Sequence, residues 1–168
     1  TKVTGFSFQV GSDVKDANLK TDFYYALNNK HTLRFGGNAT YHRFGVGRLK
    51  GGSDDGEISF SAGQNFDGYQ FGAYVADEWE PNKDLKLNAG LRFSGFANDG
   101  KTYVGIEPRL SAKYSLSDKM SLKASYARMM QYLHLVSTSG IALPTDVWYP
   151  TTPRIKPQIS DQVAIGYN

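Results

Sequence analysis

From Leu85 the chain alternates without a break: Leu85, Leu87, Ala89, Leu91 and Phe93 share one parity, and Lys86, Asn88, Gly90, Arg92 and Ser94 share the other. Successive side chains of a strand point to opposite faces, so this segment has one oily face and one wet face. The same period recurs along most of the chain, and almost every oily face has an aromatic residue near one end. Tyr69 and Trp79, ten positions apart on one strand face, bracket such a stretch. Those ten steps span about 33 Å, which a strand tilt of roughly 45° reduces to about 23 Å, close to the apolar band of about 25 Å on a membrane barrel.

Composition alone leaves the class open, because 168 residues with 40% hydrophobic content and a net charge of +3 would also suit a soluble domain. The excess of Gly (18) and Tyr (11) suits long, closely packed strands with repeated aromatic interface contacts. With no cysteine, a disulfide frame and a thiolate metal site are both excluded. No run approaches the roughly 18 apolar residues of a transmembrane helix, which leaves a closed barrel as the route across a bilayer. The basic excess is too small and scattered to point to nucleic acid. The chain begins Thr1-Lys2-Val3 with no charged-then-apolar leader and stops at Gly166-Tyr167-Asn168 inside an alternating run, so both ends are expected to be cuts.

The period predicts eight strands bounded by turn residues. The first carries Phe6, Phe8 and Val10; the second sets Leu19, Phe23, Tyr25 and Leu27 against Lys20, Asp22 and Tyr24. After Asn28-Asn29-Lys30 the third has Leu33, Phe35, Ala39 and Tyr41 against Arg34, Asn38, Thr40 and His42. A Gly-rich connection from Gly45 to Asp67 leads to the fourth, with Tyr69, Phe71, Ala73, Val75 and Trp79, and Pro81-Asn82-Lys83-Asp84 turns into the Leu85 strand. Beyond Asn98-Asp99-Gly100 the sixth carries Val104, Ile106, Leu110, Ala112, Tyr114 and Leu116 against Glu107, Arg109, Ser111 and Lys113. Past Ser117-Asp118-Lys119 the seventh has Met120, Leu122, Ala124 and Tyr126, and a Pro-rich connection from Met130 to Gln158 precedes the eighth, with Ile159, Val163, Ile165 and Tyr167. Pro108 removes a ladder donor in mid-strand, and a local bulge is expected there.

Turns near residues 28, 82 and 118 are tight and polar, whereas connections centred near 55, 99 and 145 read as longer and irregular. Short turns on one rim and long loops on the other are the arrangement of an outer-membrane barrel, with the short turns in the periplasm. The segment Gly11 to Asp16 then falls on the outer rim. Tyr25, Trp79, Tyr114 and Tyr167 gather at the periplasmic rim, and Tyr41, Tyr69 and Tyr126 at the outer one. Charges sort with this assignment: Lys20, Asp22, Arg34, Glu78, Lys86, Arg92, Glu107, Arg109, Lys113 and Lys123 share the inner face. Only Asp77, Asp161 and Arg128, each near a rim, are placed on the lipid face. The predicted fold is thus all-β: an antiparallel up-and-down meander of about eight long strands, a segment of a transmembrane β-barrel. A soluble barrel alternates similarly with its oily face inward, but its strands are shorter and it needs no paired girdles.

Several stretches resemble the barrel domain of TonB-dependent outer-membrane receptors: Tyr74-Val75-Ala76-Asp77-Glu78-Trp79, Leu85 to Phe93, Glu107-Pro108-Arg109-Leu110, Ser121 to Tyr126, and Ile155-Lys156-Pro157-Gln158-Ile159-Ser160-Asp161-Gln162. The resemblance implies that residues 1–168 are a single segment from the middle of the wall, with the plug domain, the motif that engages TonB and the terminal strands absent. It implies an outer-membrane location in a Gram-negative bacterium. Its implied partners are outer-membrane lipid, TonB acting through the absent plug, and a small nutrient ligand such as a metal chelate, cofactor, glycan or peptide. Such barrels have about 22 strands around a plugged lumen. The other functions weighed are a small closed eight-stranded membrane barrel that anchors or adheres, and a soluble lipocalin-like binding barrel.

No catalytic centre, resident cofactor or metal site is expected. His31, His42 and His134 lack ligand spacing and read as turn, lumen or loop residues. The clusters at Gly45-Val46-Gly47 and Gly51-Gly52 lack the Lys-Ser of a phosphate cradle. Ligand contact is expected from the loop residues Tyr132, His134, Trp148 and Tyr149, which offer stacking surfaces among prolines, and from Arg92 and Arg109 in the lumen. The alternative for that loop is that it folds onto its own barrel.

Overall fold

A computed structural model of the chain describes residues 5–53, 59–136 and 147–168. These residues form strands β1 (Phe6–Asn28), β2 (His31–Ser53), β3 (Ser59–Asn82), β4 (Leu85–Asn98), β5 (Lys101–Ser117), β6 (Met120–Gln131), β7 (Leu133–Val136), β8 (Val147–Pro150) and β9 (Gln158–Tyr167). Seven of them make one antiparallel sheet in the order β1-β2-β3-β4-β5-β6-β9, and β7 pairs with β8 in a separate two-stranded ribbon. This is the all-β meander that the alternation predicts. Strands β1 and β9 are the two edges of the sheet, and the wall is open rather than closed on itself.

The register keeps the two faces intact from strand to strand. On one side Trp79, Leu87, Ala112, Ala124 and Ile165 stand opposite one another in turn; on the other Glu78, Asn88, Ser111, Ser125 and Ala164 do so. A slip of one residue would exchange the faces, so the alternating pattern itself fixes the register. The aromatic belt is staggered across the ladder. Tyr25 lies level with Leu110 and Val163 through Leu33, Asp77 and Ala89, while Tyr114 and Tyr167 lie four residues further toward the tight turns. That stagger is what strands tilted to a barrel axis require if the belt is to stay level in a membrane.

Strand lengths depart from expectation. Gly11 to Asp16 is not a connection at the outer rim: β1 runs through it as one strand, with a register shift between Gly11 and Asp13. The Gly-rich stretch from Gly45 to Asp67 is likewise mostly strand, since β2 continues to Ser53 and β3 begins at Ser59. Seven strands therefore form the wall for which eight were expected. The composition is that of a loop, but a hairpin standing above a membrane needs no oily face and is held by its backbone ladder and by polar pairs such as Arg48 with Asp13 at 3.0 Å. The Asn98–Lys101 connection is also tight rather than irregular: Asp99 and Gly100 both have positive φ (48° and 71°), the twist-matched two-residue hairpin turn.

Pro108 causes no bulge. It pairs with Leu91 in unbroken register and stands just beyond the end of the β5–β6 ladder, which starts at Arg109, so no rung of that ladder needs its missing N–H. The tight turns share one device: Asn28 Oδ1 accepts hydrogen bonds from the amides of Lys30 and His31 (2.8 and 3.0 Å), and Asn82 Oδ1 accepts them from Asp84 and Leu85 (3.0 and 2.9 Å).

Packing is lopsided. Oily-face side chains stand largely bare, with Leu19 71%, Val163 75% and Ile165 78% exposed, which water does not tolerate over so wide a surface. Among the described residues the buried cluster is Phe44, Phe96 and Tyr132, with Phe66, Tyr103, Met130 and Leu133 around it. It lies on the wet face, where the segment after β6 turns back onto the wall.

Candidate ligand vestibule and lumen wall

The vestibule is built from aromatics at positions where the alternation calls for polar residues. Phe44 stands opposite Phe66, and Phe96 opposite Tyr103, all with the parity of the wet face. Gly68 leaves room for them: a Cβ there would come within 2.6 Å of the Phe96 ring. Onto this platform Tyr132 stacks at 5.6 Å from Phe96, and its hydroxyl lies 2.8 Å from Ser94 Oγ, which donates to the buried Glu107 carboxylate. Burial pushes the Tyr132 phenol above its ordinary pKa, and the Ser94 contact offsets this in part, so Tyr132 stays a neutral phenol beside Glu107.

The ribbon that follows is pinned from both ends. Thr151 Oγ1 donates to the Tyr132 carbonyl at 2.8 Å, Asn98 Nδ2 donates to the Thr151 carbonyl at 3.0 Å, and Tyr103 Oη donates to the Thr152 carbonyl at 3.0 Å. His134 Nε2 lies 3.2 Å from Thr151 Oγ1, and Tyr149 meets Phe66 edge-on at 5.4 Å. His134 and Tyr149 face each other on the inner side of the ribbon, while Leu135 and Trp148, also opposite each other, remain 47% and 43% exposed.

Four loop residues singled out from the sequence thus divide. Tyr132 and His134 are buried and hold the loop to its own wall, Tyr149 is half-buried against Phe66, and Trp148 keeps an open face. Residues 137–146 lie outside the described residues. Sequence reasoning missed Ser94, Asn98, Glu107, Thr151 and the Phe44–Phe96 platform. A usable signal was present: Phe44, Phe66 and Phe96 break the parity rule, and an aromatic on a wet face needs an internal partner.

Lower on the same face the wall is laced by polar pairs. Arg34 donates to Glu78 (2.6 Å) and to Tyr24 Oη (2.8 Å); Asp22 accepts from Tyr74 (2.6 Å) and pairs with Lys20 (2.9 Å). His42, buried beside Phe44 and Phe96, sets its Nδ1 2.7 Å from Asp16, and its Nε2 has no hydrogen-bond partner among the described residues. Arg92 reaches Asn38 Oδ1 at 3.3 Å, and Arg109 lies 3.7 Å from Glu107. These two residues are not gathered with the four loop candidates; they line a separate concavity of about 350 Å³ with Lys20, Asp22, Arg34 and Tyr74.

Most charges on the oily face are paired. His31 meets Asp77 at 2.7 Å and stacks on Trp79; Arg128 forks onto Asp161 at 2.8 and 3.1 Å, with Tyr126 donating to the same carboxylate. The register adds Lys15, Arg43 and Asp67 to this face, Lys15 opposite Arg43, and Arg43 3.1 Å from Asp67 with Tyr41 donating to Asp67, so the sequence inventory of lipid-face charges was too short. The three histidines occupy a turn, the lumen face and the loop, and no group of three potential metal ligands occurs among the described residues.

The family model described as TonB dependent receptor-like, beta-barrel matches residues 3–168. The chain belongs to that family. No curated protein and no solved structure matches it. A TonB-dependent receptor barrel accounts for the open seven-stranded wall, its bare oily face and its polar inner face in one arrangement, as the resemblance of the short motifs implied.

Proposed function

We propose that this wall belongs to an outer-membrane receptor of a Gram-negative bacterium that takes up a small nutrient when TonB acts on a plug inside the barrel. The observation that carries the reading is the sorting of faces through the membrane-level part of seven hydrogen-bonded strands: an apolar outside for lipid, with its charges near the rims, and a charged inside for a watery, occupied lumen. An open sheet cannot lie in a bilayer with two bare edges, so further strands complete the wall. The inward ribbon narrows the outer mouth, and Trp148 with Leu135 offers an apolar contact there for arriving ligand. Tyr132 and His134 serve that contact indirectly by fixing the ribbon, and Tyr149 by packing under it. Function here is binding and passage, with no chemical step.

Two measurements test it. In intact cells an impermeant thiol reagent should label Trp148→Cys and spare Lys83→Cys and Lys119→Cys, which sit at the tight turns; the reverse pattern overturns the orientation. Asp54 and Thr145, equally expected on the outer side, lie outside the described residues. Deleting the gene should abolish energy-dependent uptake of one compound from a labelled nutrient panel, and unchanged uptake across the panel would remove the import reading.

A further inference from the structure

The two halves of the inner face differ in charge balance. On β1–β3 the inner cations pair off, Lys20 with Asp22 and Arg34 with Glu78, and Asp16 lies against the His42 ring. On β4–β6 the inner face carries Lys86, Arg92, Arg109, Lys113 and Lys123 against one carboxylate of its own, the buried Glu107. Lys86 borrows Glu80 from the end of β3 at 2.7 Å. Among the described residues Lys113 and Lys123 have no carboxylate partner.

The register makes this more than a surplus. Lys86 stands directly opposite Lys113, and Lys113 directly opposite Lys123, three lysines abreast on three adjacent strands. Like charges directly opposite one another destabilise a sheet, and neighbouring strands are only about 4.8 Å apart. The next row up is Asn88, Ser111 and Ser125, neutral donors on the same three strands; above it Arg109 pairs with Gly90, and above that Arg92 stands opposite Glu107. Cations and hydroxyls thus form a ladder of about 20 Å along the strands.

Its upper rungs open into the concavity of about 350 Å³, within the range of small-molecule sites, where Lys20, Arg34 and the single carboxylate Asp22 join Arg92 and Arg109. Small residues make the space. A Cβ at Gly72 would lie 3.0 Å from Asn38 Oδ1 and 3.3 Å from Arg92 Nη2, closing the gap in which that guanidinium rests. Among the described residues Arg92 is held by the neutral Asn38 alone, and Arg109 by a carboxylate 3.7 Å away, so both forks keep donors free there for a planar or tetrahedral anion.

We propose that the inner face of β4–β6 is an anion track, and that the compound passing this receptor is a small, multiply charged carboxylate or phosphate. Arg92 and Arg109 receive it, the Asn88–Ser111–Ser125 row supplies hydrogen bonds without adding charge, and the lysine row draws it toward the periplasmic rim. This rests on the import reading and names the substrate class for the same lumen.

The probe is inorganic pyrophosphate, titrated calorimetrically into the purified complete receptor in detergent. Binding should weaken as salt rises, fall about ten-fold or more in Arg92→Gln/Arg109→Gln, and fall several-fold in Lys113→Gln/Lys123→Gln. Lys15→Gln, which removes an outward-facing lysine, should leave it unchanged. Heat-modifiable mobility on gels confirms that each variant is folded. Absence of pyrophosphate binding, equal loss in the Lys15 control, or cross-linking of Lys113 and Lys123 to carboxylates of the receptor's own chain would overturn the track. Energy-dependent uptake of a neutral nutrient that is normal in both double variants would sink the track and leave import standing, whereas uptake that never depends on the gene sinks import itself.

Discussion

At the scale of the residue, parity decides almost everything, and the exceptions to it decide the rest. Leu87 and Asn88 are neighbours in sequence, yet one row of contacts puts the first against Trp79 and Ala112 and the other puts the second against Glu78 and Ser111. Leu110→Arg should therefore cost about 2–4 kcal/mol of bilayer folding stability and Leu87→Arg, beside the Trp79 girdle, less, while Asn88→Arg and Ser111→Arg should fold nearly as the parent. Urea titration of folding into vesicles measures the difference, and equal tolerance at all four sites would undo the assignment of faces. The charges on the inner face were readable from sequence for the same reason that the lipid-face residues were: position modulo two is enough. Who pairs with whom was not. Arg34 reaching both Tyr24 and Glu78 depends on the register of three strands, which no single segment encodes. The buried aromatics were hidden differently: Phe44, Phe66 and Phe96 look like oily-face residues by type and wet-face residues by place, and only their common partner, the returning loop, reconciles the two.

At the scale of the element, turns were legible and strand ends were not. Asn28 and Asn82 announce their turns because an Asn side chain accepts from the amides two and three residues on, a local event. The upper halves of β1, β2 and β3 carry Gly, Ser and Asp, and nothing local distinguishes a polar ladder in water from a loop. The ribbon β7–β8 was read only as a long connection with two possible fates, and it takes the inward one because Tyr132 finds a stack, a hydroxyl and a backbone partner in one place. Tyr132→Ala should free it. In intact cells added trypsin should then cut after Arg154 several times faster than in the parent, whereas Tyr132→Phe, which keeps the stack on Phe96, should stay close to the parent rate. Fast cutting in both would assign the hold to the hydroxyl, and fast cutting in neither would show that Asn98, Tyr103 and Phe66 suffice.

At the scale of the whole molecule, the family and the open wall were both visible in the order of short motifs, because repeated alternation with aromatic ends is a global pattern written locally many times. The edges were visible as well, but not their mismatch. β1 has 23 residues and β9 has 10, so even perfect closure of this sheet on itself would leave more than half of β1 unpaired. Closure would also draw Tyr24, Tyr74, Arg92, Arg109 and Lys113 toward one axis from a wall that now spreads them. An unpaired strand edge recruits another strand, and the longer edge recruits more strongly. Residues 1–168 produced alone and refolded in detergent should accordingly form concentration-dependent dimers or larger species through β1, seen by light scattering. With Leu19→Cys and Val163→Cys on the two edge strands, oxidation should give cross-links between chains in preference to loops within one. A monodisperse monomer in which the two introduced thiols join efficiently inside a single chain would instead mean that seven strands close by themselves, and the need for further strands to complete the wall would fall with it.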